Sequence, residues 1–382
     1  MRILFDATPL QTGHRTRGIG TYTRDLLRAL LALDRENDYL LVFHGGEAQL
    51  RRDLHLDTLP PCVTLLPLPR WPLGRFSGFA SHQMALPLLL RRQKADLFHA
   101  PGFVAAFSVP GIPWHVPQPL VVTLHDFLPL QMPELFNDKA INRLWYARQM
   151  AAARRATRLI CVSRATRADA LDLMGAPLDR CEVVYEGVDR DVFFPAGAAE
   201  AAASPPTILF VGGSFANKNR QRALAAYARL TSATTLPHHL LLVGQDDLTD
   251  AALAARHPGL DMRRVHRLAG VSQTELAQLY RTADLFLFPS LSEGFGLPVL
   301  EAMASGTPVV TSQASSLPEV AGAAALLVDP TDTDAIAAAM GKVLADRTLH
   351  SQLRSAGLAR AARFTWQAAA EQTLAVYRSA AG

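Results

Sequence analysis

Two carboxylates eight residues apart, Glu293 and Glu301, stand within the segment ADLFLFPSLSEGFGLPVLEAMAS of Ala283–Ser305. The apolar run Leu285–Pro289 predicts a buried strand, and a helix is expected from Leu297, with Pro298 suited to its first turn. Gly294 and Gly296 in the intervening loop let the backbone come close to a ligand. The free N–H groups at a helix start can hold a phosphate. Glu301, about one turn into the helix, can accept hydrogen bonds from both hydroxyls of a ribose, as the acid of a dinucleotide site does. Glu293 precedes the loop and would lie on the other side of the phosphates. As a surface carboxylate favoured by the helix dipole, or as a plain loop acid, neither residue would do chemistry. The strand, the glycines and Pro298 around them favour the ligand-binding reading.

Three further segments carry candidate groups. In ILFVGGSFANKN, Ile208–Asn219, a strand ends in Gly212 and Gly213, and Lys218 follows before an Ala-rich helix. A cation there can neutralise a diphosphate. The chain has only four Lys against 34 Arg, so a Lys beside a glycine turn stands out. His125 and Asp126 end the predicted strand Leu120–His125, as a ligand-facing pair or as a simple capping pair. Arg17, Gly18, Ile19 and Gly20 form a short glycine loop between the first strand and an expected helix Tyr22–Leu33, without full dinucleotide-loop spacing. Ser163 can face a ligand or cap the helix Arg164–Leu173. Glu319 can face a ligand or favour a helix start. His14, His44, His82, His99 and His115 show no metal-ligand spacing. Asp246 and Asp247 are contiguous, without the residue between them that a metal-bracketing DxD has. No metal requirement is expected.

These groups need parallel strands to hold them, and short apolar runs alternate with helical patterns throughout. Seven strands are expected in the first half: Arg2–Ala7, Tyr39–His44, Val63–Leu68, Asp96–His99, Leu120–His125, Arg158–Ser163 and Glu182–Tyr185. Six are expected in the second: Thr207–Gly212, His239–Gly244, Val265–Leu268, Leu285–Pro289, Pro308–Ser312 and Ala325–Asp329. The small, polar, Pro-terminated run 196–206 reads as a linker. The expected organisation is α/β, with one doubly wound domain over 1–195 and a second over 207–363. A last helix, about 364–382, returns to the first domain. Ligands of such domains bind at the carboxyl ends of the strands.

Length and composition agree with two domains. The 382 residues exceed what one core usually serves, and the 49% hydrophobic content suffices for two. No apolar run is long enough to span a bilayer. MRILFDATPL reads as a first strand, not a secretion signal, because Asp6 interrupts it. The scattered Cys62, Cys161 and Cys181 point to buried thiols and a cytoplasmic setting. The net charge of +4 lies in the first half: residues 1–195 hold 23 Lys/Arg and 19 Asp/Glu, the rest 15 of each. Without a basic-aromatic recognition module, nucleic acid is the least favoured partner. An acidic substrate or an anionic membrane suits the asymmetry. The segment RWPLGRFSGF, Arg70–Phe79, mixes Arg with Trp71, Phe76 and Phe79, and would meet a membrane if exposed.

With these motifs in place, the chain resembles the family 4 retaining glycosyltransferases. E-G-F-G-L-P-x-L-E is similar to that family's E-x7-E signature. The likeness extends through GIGTYTRDLL, VTLHDFLPL, LICVSRAT, VVYEGVD, ILFVGGSFANKN, LLLVG, SSLPEVAGAAALLVDP and FTW. It implies the GT-B fold, two Rossmann-like domains facing across a cleft, and transfer of a hexosyl group from a nucleotide-sugar. The implied acceptor is a saccharide or lipid-linked saccharide in surface-polysaccharide assembly. Mannosyl transfer from GDP-mannose is favoured, without another cofactor. By matching position, Glu293 and His125 hold the donor sugar, Glu301 binds the ribose, and Lys218 grips the diphosphate. Phe295 to Leu297 offer backbone N–H groups, with Gly212 and Gly213 close by. Arg17, Gly18, Gly20 and Asp126 face the phosphates or acceptor. Relatives place an Arg just before the Lys, where this chain has Asn217. Asn217 is placed among the donor-binding residues, with Arg220 or Arg222 as substitutes for the missing cation. A non-catalytic nucleotide-sugar scaffold and a GT-B epimerase are the alternative readings. Peripheral attachment to the inner face of the cell membrane fits a lipid-linked acceptor.

Overall fold

In the computed structural model the described residues are all except 14, 16, 70, 73, 75, 76, 104–110, 134–139, 198–204, 246 and 247. The chain divides into two compact units. One is Met1–Gly187 with Trp366–Gly382, the other Val188–Thr365.

The first unit holds a seven-stranded parallel sheet. Its strands are β1 (Arg2–Asp6), β2 (Asp38–Phe43), β3 (Val63–Pro67), β4 (Leu97–Ala100), β5 (Leu120–Leu124), β6 (Arg158–Cys161) and β7 (Cys181–Val183). Their order is β3-β2-β1-β4-β5-β6-β7, so the winding reverses between β1 and β4. The central strands are nearly continuous apolar runs because helices cover both faces. The helices used below are α1 (Gly18–Leu33), α2 (Leu86–Arg92), α3 (Ala140–Ala153) and α4 (Arg164–Asp172). The chain's last helix, Trp366–Ala381, also belongs to this unit. Trp366 meets Tyr22 of α1 edge-on at 5.9 Å, and the Tyr377 hydroxyl bonds His99 Nδ1 at 2.6 Å.

The second unit holds a six-stranded parallel sheet of β8 (Thr207–Val211), β9 (His239–Val243), β10 (Val265–Leu268), β11 (Leu285–Phe288), β12 (Val309–Ser312) and β13 (Leu326–Val328). The order β10-β9-β8-β11-β12-β13 reverses between β8 and β11. Its helices include α5 (Arg220–Ala233), α6 (Gln273–Thr282), α7 (Leu297–Ala304), α8 (Thr333–Ala345) and α9 (Arg347–Ala361). Ile208, Phe210, Leu287, Val310 and Met340 lie at the centre of its core.

All thirteen expected strands are present, each within a residue or two of its expected bounds. Two boundaries differ. The first unit ends at Gly187, not at residue 195. Residues after it are bound into the second unit: Val188 N donates to Phe364 O at 3.2 Å, and Phe193 packs edge-on against Tyr280 at 5.9 Å. The linker segment expected at 196–206 lies largely outside the described residues. Helix α1 begins at Gly18, not Tyr22, so Gly18 and Gly20 form its first turn and do not sit in a loop. Thr21 N already donates to Arg17 O at 2.9 Å, because nothing in Gly-Ile-Gly prevents the turn from closing.

Candidate active site

Ligands of a doubly wound sheet bind where the strand order reverses, outside the carboxyl ends of the strands. In the second unit that place lies between β8 and β11. The loops after these strands carry Lys218 and Glu293. Lys218 Nζ sits 2.7 Å from Glu293 Oε1 and 2.9 Å from Oε2, so the ammonium spans both carboxylate oxygens. Ser290 Oγ also donates to Glu293 Oε1. The Phe288 ring lies 5.1 Å from Lys218 Nζ and supplies a low-dielectric wall. Both charged groups are largely but not fully covered, with side-chain exposures of 21% and 11%.

Glycine and asparagine explain how the two loops come together. Gly212 has φ +154°, and a Cβ there would lie 2.9 Å from Lys218 Cγ, so the lysine stem crosses the backbone at this residue. Asn219 takes the left-handed conformation, φ 59°, directly before α5. Its buried amide donates to Pro289 O at 2.9 Å and Pro330 O at 2.6 Å, tying the ends of β8, β11 and β13 together. Asn217, placed among the donor-binding residues by sequence, is buried. Its amide donates to Ser292 O at 3.1 Å, and its carbonyl accepts from Leu291 N at 2.7 Å. It therefore stitches the Lys218 loop to the Glu293 loop. Of the proposed substitutes for a second cation, Arg220 is buried and Arg222 donates to Asn219 Oδ1 at 3.0 Å.

The Glu293–Gly296 turn is held from the loop after β12. Ser315, with φ 49°, accepts from Glu293 N at 2.8 Å through its hydroxyl. Ser316 Oγ lies within hydrogen-bonding distance of Glu293 O at 2.9 Å and Phe295 O at 2.7 Å. Gly296 has φ +115° and caps α7, where a Cβ would come within 2.8 Å of Leu317 Cδ2. Glycine is the side-chain-free solution to both constraints. Phe295 itself points inward, its ring 5.9 Å from that of Phe364. Only its backbone can serve a ligand. Glu301, one turn into α7, accepts from the Tyr280 hydroxyl at 3.1 Å. Burial first, then the charge and hydrogen bond of Glu301, push the Tyr280 phenol well above its ordinary value, so it remains a donor. Glu319 lies in the helix Leu317–Ala321, and its carbonyl accepts from Arg360.

The reversal point of the first unit gathers a different set. His125, after β5, has both ring nitrogens occupied: Nε2 lies 2.8 Å from Pro101 O, after β4, and Nδ1 lies 3.4 Å from Glu186 Oε1. Tyr22 of α1 meets the imidazole edge-on at 4.7 Å. Beneath it a buried chain runs from Tyr22 OH to Thr123 Oγ1, 3.0 Å, and from Thr123 to His99 Nε2, 2.9 Å. Burial drives the His99 pKa down to about 3, so this ring is neutral. Burial also opposes the charged form of His125. The Glu186 hydrogen bond and charge, the Pro101 carbonyl and Asp126 outweigh it, and its pKa lies above the ordinary 6.5. Burial raises Glu186 too, and His125 and Asp25 act on it in opposite senses. Asp126 is exposed and its carboxylate accepts from Leu128 N at 3.1 Å. Ser163 is buried and caps α4, accepting from Thr166 N at 2.9 Å. Arg17 is exposed at the α1 start, with Gly18 beside it and Gly20 buried.

Residues 205–346 match the family model for Glycosyl transferases group 1, and residues 16–192 that for Glycosyltransferase Family 4. O-antigen chain mannosyltransferase B of Escherichia coli is 30% identical over 402 residues, spanning 99% of this chain and 100% of its own length. The chain belongs to the family 4 (group 1) glycosyltransferases. The MMP alpha-(1->4)-mannosyltransferase of Mycolicibacterium hassiacum is 35% identical over 249 residues, 63% of this chain and 59% of that relative's length. Among solved structures, Anabaena HepE in complex with UDP and glucose superposes with a TM-score of 0.73 and 21% identity, covering 99% of this chain and 100% of HepE. At that identity the likeness is one of fold, the GT-B pair of doubly wound units.

The site residues missed by sequence reasoning are Ser290, Ser315, Ser316, Asn219 and Glu186. Ser290 and Asn219 lie within the segments Ala283–Ser305 and Ile208–Asn219, beside Glu293 and Lys218, whereas Ser315, Ser316 and Glu186 reach their partners from distant sequence positions. The serines hold the glycosyltransferase's acidic loop; Ser315 and Ser316 come from SSLPEV, and Glu186 comes from VVYEGVD. Asp246 and Asp247 lie outside the described residues. Among the described residues no three His, Cys, Asp or Glu gather as a metal site, and no helix is long and apolar enough to cross a membrane.

Proposed function

We propose that this glycosyltransferase moves a mannosyl group from GDP-mannose to a lipid-linked saccharide, with retention of configuration and without a metal. Its place is surface-polysaccharide assembly at the inner face of the cell membrane. The observation that carries the donor assignment is the Lys218–Glu293 pair at the β8/β11 reversal, with Glu301 one turn into the next helix. Glu301 accepts from the ribose hydroxyls while Tyr280 braces its other side. The N–H groups at the start of α7 meet the diphosphate, and Gly212 and Gly213 leave room for it. Lys218 neutralises the negative charge that grows as the glycosidic bond breaks. Glu293 accepts from the sugar hydroxyls, and a sugar-holding role for His125 rests on the family resemblance alone. The acceptor hydroxyl attacks from the face that the diphosphate vacates, and its proton passes to the departing phosphate oxygen. Arg17 and Asp126 are assigned to the acceptor or phosphate surroundings.

The mannosyl preference is supported by the two mannosyltransferase relatives. A panel of nucleotide-sugars tested by thermal shift, followed by transfer assays with and without EDTA, decides it. GDP-mannose is expected to stabilise most and EDTA to leave the rate unchanged. Stabilisation by UDP-glucose but not GDP-mannose would overturn the donor, and loss of turnover in EDTA would overturn metal independence.

A further inference from the structure

Three segments of the first unit are fastened side by side. The helical stretches Ser77–Ala80, Ser81–Ala85 and Leu86–Arg92 follow one another without a break. The strap 111–119 lies between this run and α3. Trp114 N donates to Gln83 Oε1 at 2.9 Å, and Arg91 bonds His115 at 3.1 Å. On the other side, Ile112 N donates to Gln149 Oε1 at 2.6 Å and Arg155 donates to Trp114 O at 3.0 Å. Arg148 lies over the Trp114 ring, 5.5 Å from its centroid. Of the aromatic segment Arg70–Phe79, Arg70 and Phe76 lie outside the described residues, and Phe79 is only half-buried. Its ring packs edge-on against Trp114 and Trp145 at 5.7 and 5.4 Å.

The outer side of this assembly is apolar and basic at once. Met84 and Leu88 are one turn apart, 56% and 67% exposed, and Arg91 and Arg92 occupy the following turn. On α3, Ile141, Leu144 and Arg148 recur at helical spacing, all exposed, and Trp114 is exposed between the two helices. Five of the twelve exposed large apolar side chains among the described residues fall on these three short segments. The exposure is therefore concentrated, which marks a contact surface. Residues 77–92, 111–119 and 140–156 contain six Arg and no Asp or Glu. Such a face lacks the opposite charges that would let it pair with a second copy of itself in an isologous dimer.

We propose that this face docks on a bilayer containing anionic lipid. Leu88, Leu144, Met84 and Trp114 enter the headgroup boundary, and the arginines meet lipid phosphates. The proposal deepens the lipid-linked-acceptor reading above, yet its test does not depend on turnover. Wild-type protein is sedimented with phosphatidylcholine vesicles that contain or lack phosphatidylglycerol, at low and high salt. Binding is expected only with phosphatidylglycerol, weakening as salt rises. Leu88→Glu with Leu144→Glu, and separately Arg91→Ala with Arg92→Ala and Arg148→Ala, should each weaken it about ten-fold or more. Melting temperature and transfer to a soluble acceptor analogue should stay at wild-type values, which separates docking from folding and from chemistry. No sedimentation with anionic vesicles, or undiminished sedimentation of both variants, would overturn the proposal. So would self-association of the wild type, abolished by the leucine changes, in the absence of vesicle binding. If the transfer reading alone were wrong, vesicle binding would persist while no variant or wild type turned over donor.

Discussion

The two units share one winding but spend their polar residues differently at its reversal point. In the second unit the charged groups stand at the rim, with Lys218 and Glu293 partly exposed and paired to each other. The residues beneath them, Asn217, Asn219, Ser290, Ser315 and Ser316, bond mostly to backbone carbonyls. In the first unit the polar groups are sunk: Glu186, His99 and Thr123 are buried, and His125 has both ring nitrogens satisfied from within. A rim of charge on a backbone-stitched floor suits binding a diphosphate. A buried network instead suits fixing one imidazole in one orientation.

The contrast predicts unequal losses. Lys218→Ala and Glu293→Ala should each lower kcat by about a thousand-fold, the loss usual for a preorganised group facing developing charge. Their melting temperatures should stay close to wild type, because each group is partly solvated. Steady-state transfer assays with circular dichroism check both, and near-wild-type turnover in either variant would remove that residue from the site. Glu301→Ala should act mainly on donor affinity, weakening it about ten- to a hundred-fold, as expected for losing charge-assisted hydrogen bonds. Calorimetric titration with GDP and GDP-mannose measures this, and an unchanged affinity would end the ribose assignment.

The floor of the candidate donor site should fail differently from its rim. Asn219→Gly keeps the left-handed backbone but leaves the Pro289 and Pro330 carbonyls without their donor. It should cost about 1–3 kcal/mol of stability, read by denaturant unfolding, with donor affinity falling less than in Glu301→Ala. A variant as stable as wild type would show that the three strand ends do not depend on this amide.

How much of this was legible in sequence follows from range. The strands were readable because buried parallel strands are apolar along their whole length, as in Leu285–Phe288 and Leu120–Leu124. Glu293, Glu301 and Lys218 were readable because glycines and a helix start adjoin them. The partners were not. Ser315 lies 22 residues from Glu293 in sequence, and Glu186 lies 61 from His125, so register and crossover geometry alone bring them together. The structural partner of Asn217 was hidden for a related reason. A polar residue beside such a Lys looks ligand-facing, but both lie in the 3-10 turn Ala216–Lys218, whose step of about 120° per residue sends the Asn217 amide to Ser292 O while Lys218 reaches Glu293. The Gly18–Gly20 loop was misread because glycine lowers helix propensity, yet the start of a helix tolerates it.

The smallest predicted effect concerns the sunken site. His125 and Glu186 both have pKa values above their ordinary 6.5 and 4.5, so the folded pair holds protons more tightly than the unfolded chain does. Linkage then fixes the sign: the His125 contribution to stability is fully present below 6.5 and is lost as pH rises through its higher folded value. Glu186 acts in the same direction, its contribution falling as pH climbs above 4.5. Glu186→Gln keeps a polar side chain of nearly the same shape and removes the carboxylate. Burial, the largest influence on His125, should then prevail over the remaining partners, Pro101 and Asp126, and its titration should move to lower pH. Nearby Asp25 is paired with Arg24 at 2.7 Å, and His99 stays neutral, so neither supplies a replacement charge to the ring. The stability gap between wild type and Glu186→Gln should therefore shrink as pH rises past 6.5, while the imidazole resonance of His125 titrates earlier in the variant. A purely structural Glu186 would lower stability by the same amount at every pH and leave that resonance where it is.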